Sequence, residues 1–274
     1  MYAKIITISE NTVGLTRNIL GEHGLSFYVE CGDAKLVFDT GQTFSAAHNA
    51  GVLGIELAGL PIALSHGHYD HTGGLKHILE KTGPTRIYGH PDIFAPKYAV
   101  HGKTRYIGIP FEKEDLEAMG AQFDLSREAR EIAPGIWLTG EVPRLTEFET
   151  PSSDLAVKTK NGMVTDPLLD DQALILKLDF GIFVILGCTH SGMINTLEHA
   201  RKVTGEDRVI GVVGGTHLGF GGEDKLPKTI EALRGYDLEI LGASHCTGLK
   251  AASVLATEFG NKFVFNNAGT VIEL

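Results

Sequence analysis

Apolar and polar positions follow two successive patterns along the chain. Short β-rich runs come first, at Tyr2–Ile8, Gly24–Glu30 and Lys35–Asp39, the last two joined at Cys31-Gly32-Asp33. Helical spacing then predicts helices over Phe44–Leu53 and Leu75–Lys81, the second closed by Gly83-Pro84. Short strands are predicted at Leu60–Leu64 and Arg86–Tyr88. Between Pro91 and Gly135 the pattern is mixed, with a short helix expected at Lys113–Met119 and a strand following at Ile136–Thr139. Further on, Ala173–Leu178 and Ile182–Leu186 read as a hairpin across Asp179-Phe180-Gly181. Three apolar runs then each end on a histidine, FVILGCTH, VIGVVGGTH and LEILGASH, and each leads into a helical segment: Ser191–Val203, Asp224–Leu233 and Gly248–Phe259. Strands first and strand–helix alternation afterwards indicate an α/β protein.

One stretch breaks the pattern. Glu141–Asp171 is polar, contains three prolines and has no sustained period. A segment of this length without structure is usually functional, so residues 141–171 are expected to form a lid or substrate loop on a single domain spanning 1–274.

Composition narrows the function. The 274 residues carry 24 basic and 34 acidic side chains, a net charge of -10. Such a surface repels a phosphate backbone and argues against nucleic acid as a partner, while a small anionic substrate held by local cations stays open. MYAKIITISENTVG lacks a basic segment followed by an apolar stretch, and no apolar run approaches the roughly 20 residues of a membrane span. Cys31, Cys188 and Cys246 form no CxxC pair, which points to a reducing compartment. The expectation is a cytoplasmic protein without membrane contact. An apolar face in the middle region leaves room for a homodimer.

The 12 histidines are the compositional excess. Directly after the Leu60–Leu64 strand stands Ser65-His66-Gly67-His68-Tyr69-Asp70-His71-Thr72-Gly73-Gly74. A tight turn there can aim His66, His68, Asp70 and His71 into one small volume. Three imidazoles and a carboxylate suit zinc first, and also iron or manganese. Four ligands within six residues crowd a single tetrahedral ion, so two divalent ions sharing the cluster are expected, with further ligands arriving from elsewhere. His217 ends a buried-looking strand after two glycines, at the place where open sheets collect their sites, and is read as a substrate contact. His90, in Tyr88-Gly89-His90-Pro91-Asp92, also follows a strand and is read as a residue of the site rim that touches substrate. His23, His48, His77, His101 and His199 have no companions and are expected to be solvated or structurally bonded.

The HxHxDH segment after a short apolar strand, preceded by Phe38-Asp39-Thr40-Gly41, resembles the metallo-β-lactamase superfamily. EHGLSFYVE, LSHGHYDHTGGL, YGHPDIF, TGEVPR, DPLLDDQAL, GCTHSG, GGTHL and SHCTG resemble more closely its branch named for the dihydropterin–ribofuranosylaminobenzene-phosphate synthase of methanopterin biosynthesis. The resemblance implies an αββα sandwich of two mixed sheets flanked by helices, with metals in a groove at one edge. It implies His66 and His68 on the first ion and Asp70 and His71 on the second, with His190 and His245 completing the set. Asp39 would orient a ligand histidine by accepting its other N–H. Many relatives carry a bridging aspartate near Cys188. Here Cys188 is expected to be a small packing residue, and the second site correspondingly weaker.

The expected activity is hydrolysis of a small phosphoester or related ester by metal-bound hydroxide, with Asp70 as the catalytic carboxylate. The alternatives are a pterin-alkylating synthase releasing pyrophosphate and a non-catalytic ligand sensor. Arg105, Arg144, Lys158 and Lys160 are the cations available to meet phosphate charge.

Overall fold

The computed structural model describes residues 1–15, 18–150, 152–220 and 224–274. Its centre is a pair of seven-stranded sheets. The first runs edge to edge through Val271–Glu273, Ala3–Ser9, Ser26–Cys31, Ala34–Phe38, Ile62–Ala63, Thr85–Gly89 and Ala121–Leu125. The second runs through Phe263–Phe265, Ile240–Ser244, Val209–Gly215, Gly181–Leu186, Leu174–Leu178, Ile136–Leu138 and Arg130–Ala133. Each sheet is antiparallel on one side and parallel on the other, the change falling at Ala34–Phe38 and at Gly181–Leu186.

Alternation along the strands builds the layers. Phe27, Phe38, Leu174, Phe183 and Val213 lie in the core between the sheets. The outer face of the first sheet buries Val37, Ile62 and Ile87 under the helices Ser45–Val52, Leu75–Thr82 and Lys113–Ala118. Val184, Val212 and Leu241 of the second sheet pack with residues of Met193–Thr204, Lys225–Leu233 and Gly248–Phe259. The result is the expected αββα layering. No helix among the described residues is long and apolar enough to cross a membrane.

The expectation of a structureless 141–171 is corrected. Leu155–Thr159 and Gly162–Thr165 form a hairpin within it, and Leu155–Thr159 pairs with Lys97–Ala99, itself paired with Arg105–Tyr106. This small antiparallel sheet escaped the sequence pattern because its strands are two to five residues long and mostly exposed, leaving no alternation to read. It sits as a canopy over the cleft, where Ala99, Arg105, Asp154 and Leu155 help to line the wall. Part of the segment thus lines the cleft, with strands where the sequence predicted none.

Candidate metal centre

Strands of the parallel halves deliver the chemistry from their C-terminal ends. Asp39 follows Ala34–Phe38, His66 and His68 follow Ile62–Ala63, Cys188 and His190 follow Gly181–Leu186, His217 follows Val209–Gly215, and His245 follows Ile240–Ser244. These ends are where open α/β sheets place their ligands. Asp39, Thr189, His217 and His245 are non-glycine residues in the left-handed region, with φ between 51° and 61°. Such backbone strain clusters at functional sites and costs of order 1 kcal/mol or more per residue.

The histidine-rich turn is held tightly. A Cβ on Gly67 would come 2.0 Å from the Ile93 carbonyl oxygen, so only glycine fits between the two imidazoles. His66 Nε2 lies 2.9 Å from His68 Nδ1. Ring centroids of His66 and His68 stand 5.0 and 4.9 Å from that of His190, and the three side chains offer donor atoms within 4.8 Å of one another. All three are buried. Burial pushes His68 down to about 3 and holds His66 and His190 well below the usual imidazole range. Their rings are thus neutral, with lone pairs to give.

Those lone pairs lack partners. His68 Nε2, both ring nitrogens of His190 and His217 Nδ1 are buried without a hydrogen bond. Orphaned polar atoms in such number are costly unless something else satisfies them. A divalent ion does so, and the nitrogen-rich donor set fits zinc, iron or manganese better than magnesium or calcium.

His71 is oriented from behind. Its Nδ1–H donates to Asp39 Oδ2 at 2.6 Å, which turns Nε2 towards Cys188 Sγ at 3.2 Å and His245 Nε2 at 3.3 Å. Although burial opposes its charge, Asp39 raises its pKa to about 9. Asp39 also accepts the Ser65 N–H and hydroxyl, each at 2.7 Å. Asp39→Asn should therefore weaken metal retention by about 10–100-fold while leaving the fold intact, as read by metal titration beside circular dichroism.

Asp170, Asp171 and Gln172 act as clamps. Asp170 accepts the Gly67 N–H at 2.8 Å, Asp171 accepts the Ser191 N–H at 2.8 Å, and Gln172 donates to the Leu64 carbonyl at 2.9 Å. Three consecutive side chains thus fix the early turn against the His190 loop. Lys97, which the sequence did not single out, is buried between Asp166 and Asp170 at 2.9 and 2.8 Å. No periodic or motif signal marks such a lysine.

One expectation changes and another is extended. His90 does not reach the cleft: it is fully buried, its Nδ1 accepts the Asp92 N–H at 3.1 Å, and its Nε2–H donates to Glu141 Oε1 at 3.1 Å. Its strand lies one position further out in the sheet than Ile62–Ala63, so the ring caps a turn there. Cys188 is buried, and the reading of it is extended: its Sγ also lies among three of the five donor groups, with His66 and His71, with His190 and His217, and with His245 and Cys246. His217 does line the cleft, its ring 4.4 Å from His190 and stacked 5.0 Å from Phe220. Of the four cations named for phosphate, Arg105 alone lines this cavity. Residues that the sequence left aside also do, among them Tyr69, His101, and His23 beside Asp70.

The cavity above the cluster measures about 420 Å³. A second hollow of about 430 Å³ adjoins it, sharing His190, His217 and Phe220 and lined further by Thr150, Ser153, Lys225 and Lys228.

Residues 20–201 match the profile of the metallo-beta-lactamase superfamily. The chain is 31% identical to the 7,8-dihydropterin-6-methyl-4-(beta-D-ribofuranosyl)-aminobenzene-5'-phosphate synthase of Methanocaldococcus jannaschii, over 98% of this chain and 96% of that one. It is 34% identical to an uncharacterized protein of the same organism, over 93% and 95% of the two chains. The crystal structure of a metal-dependent hydrolase of the beta-lactamase superfamily superposes with a TM-score of 0.85 at 28% identity, covering 99% of each chain.

Proposed function

Because the chain belongs to the metallo-beta-lactamase superfamily, we propose that it is a metal-dependent hydrolase of a small, phosphorylated ester. One observation carries this reading: buried, neutral imidazoles with unpaired nitrogens form the floor of an open cleft. His66, His68 and His190 would hold one divalent ion, and Asp70 with His245 a second, His71 and Cys188 lying between them. Divalent ions in such a site lower the pKa of a bound water to about 7 and neutralise charge that grows on an ester oxygen.

The remaining work falls to the chain. Asp70 lines the cleft between His23 and His245, where its carboxylate can accept a hydrogen bond from the attacking water and orient it. Arg105 donates to the Tyr69 hydroxyl at 3.2 Å and has no carboxylate within salt-bridge distance among the described residues, so its charge is free for an anionic group. Phe220 is 71% exposed at the junction of the two hollows, an apolar face against which a ring can lie. Protein prepared without added metal should hold close to two transition-metal ions per chain and turn over aryl phosphoesters. Failure to bind any such ion under any condition would sink the reading.

A second reading is favoured by the 31% identity to a synthase over nearly the whole chain. The two adjoining hollows can hold two molecules that meet at His217. A synthase of this kind releases pyrophosphate only when the pterin and the aryl acceptor are both supplied. Pyrophosphate release from the pterin alone, or phosphate release from a simple phosphoester, assigns the hydrolase.

A further inference from the structure

We propose that His23 completes the second cation site, together with Asp70 and His245. The inference rests on the metal-dependent reading above. Asp70 Oδ2 lies 3.2 Å from His23 Nε2 and 3.2 Å from His245 Nε2, and the three donor atoms fall within 4.8 Å of one another. Of the donor groups found among the described residues, this is the one that includes a carboxylate.

The hydrogen bonds around His245 orient it towards a cation at this place. Asn11 Oδ1 accepts the Gly24 N–H at 3.2 Å, which fixes the orientation of its amide. The same oxygen lies 2.9 Å from His245 Nδ1 and so takes that nitrogen's proton. With Nδ1 committed to Asn11, His245 presents Nε2 to Asp70 Oδ2 at 3.2 Å and to His71 Nε2 at 3.3 Å, the atom that would coordinate a cation held there.

The backbone also places His23 deliberately. Gly24 N–H is held by Asn11, and Leu25 N–H donates to the Asp70 carbonyl at 3.2 Å. A Cβ on Gly24 would meet that carbonyl oxygen at 2.6 Å and the Gln42 nitrogen at 2.8 Å, so the chain must lie flat against the turn there. On the other side of His23, the Glu22 carboxylate accepts the Gln42 and Thr43 N–H groups at 3.1 and 3.0 Å. The histidine is therefore pinned over Asp70 from both sides.

Chemistry and exposure set the character of the site. Two nitrogens and one oxygen suit zinc, manganese or iron. His23 is 50% exposed, whereas His66, His68 and His190 are buried. The ion beside His23 should therefore bind more weakly and exchange faster than the one in the buried trio.

Stepwise titration of metal-free protein with cobalt(II), followed by absorption, tests this without a substrate. Wild-type protein should take up two ions in resolved steps. His23→Ala and His23→Gln should keep the first step and weaken the second by at least about tenfold, while His48→Ala behaves as wild type. Circular dichroism checks that each variant is folded. A second step unchanged in both His23 variants, or a single step in the wild type, overturns the assignment. Absence of any uptake by the wild type would instead overturn the metal-dependent reading beneath it.

Discussion

Replacing His68 by alanine is expected to lower turnover about a thousandfold or more, with the metal-free fold unchanged. His68 Nε2 is buried without a protein partner, and Nδ1 touches only another candidate ligand, so the side chain does little for stability by itself. Its backbone carbonyl does the structural work, accepting the Thr72 N–H at 3.1 Å and the Thr72 hydroxyl at 2.8 Å, and alanine keeps both bonds. What alanine removes is one of three imidazoles around the buried ion. Metal ions supply several kcal/mol of charge stabilisation, and about 4 kcal/mol corresponds to a factor of about a thousand. Metal content and steady-state kinetics at saturating metal check this. A variant retaining more than about a tenth of the activity would remove the His66, His68 and His190 trio from the chemistry.

Lys97→Met should give the largest loss of stability. Lys97, Asp166 and Asp170 have side chains 2%, 4% and 0% exposed. Burial opposes the lysine's charge, but the two carboxylates outweigh it and raise its pKa; burial also raises Asp170 in spite of the lysine. Removing the cation leaves two buried carboxylates facing each other, a loss of about 3–5 kcal/mol. For a chain of this size that lowers the melting temperature by roughly 10 °C. Adding Asp166→Asn and Asp170→Asn should recover at least about half of the loss, because neutral amides tolerate burial and residue 170 still offers an oxygen to the Gly67 N–H. A melting temperature unmoved by Lys97→Met would show that the triad is energetically idle.

What could be read from the sequence follows from the range of each interaction. His66, His68, Asp70 and His71 lie within six residues, so one turn gathers them and local spacing reveals it. His190, His217 and His245 were legible because each ends an apolar strand, and strand ends of a parallel sheet converge. His23 was not legible: its partner is Asp70, and the two meet only through the close approach at Gly24, which no local pattern records. Lys97 was hidden for the opposite reason, since a lone lysine reads as solvated surface until two distant aspartates bury it. His90 misled because it shares the strand-end context of the cleft-lining histidines while lying one strand too far out. Most central strands and the helices were recovered to within a few residues, whereas the edge strands Ala121–Leu125, Arg130–Ala133, Phe263–Phe265 and Val271–Glu273 are too short to leave a period and were not predicted.

The canopy over the cleft is tied to the histidine-rich turn through a buried chain of contacts, from Lys97 through Asp170 to the Gly67 N–H. Anyone retailoring this protein by transplanting a foreign hairpin across residues 155–165 would need to preserve the lysine and aspartate at its roots. Without them, a change aimed at selectivity would first loosen the turn that carries His66 and His68.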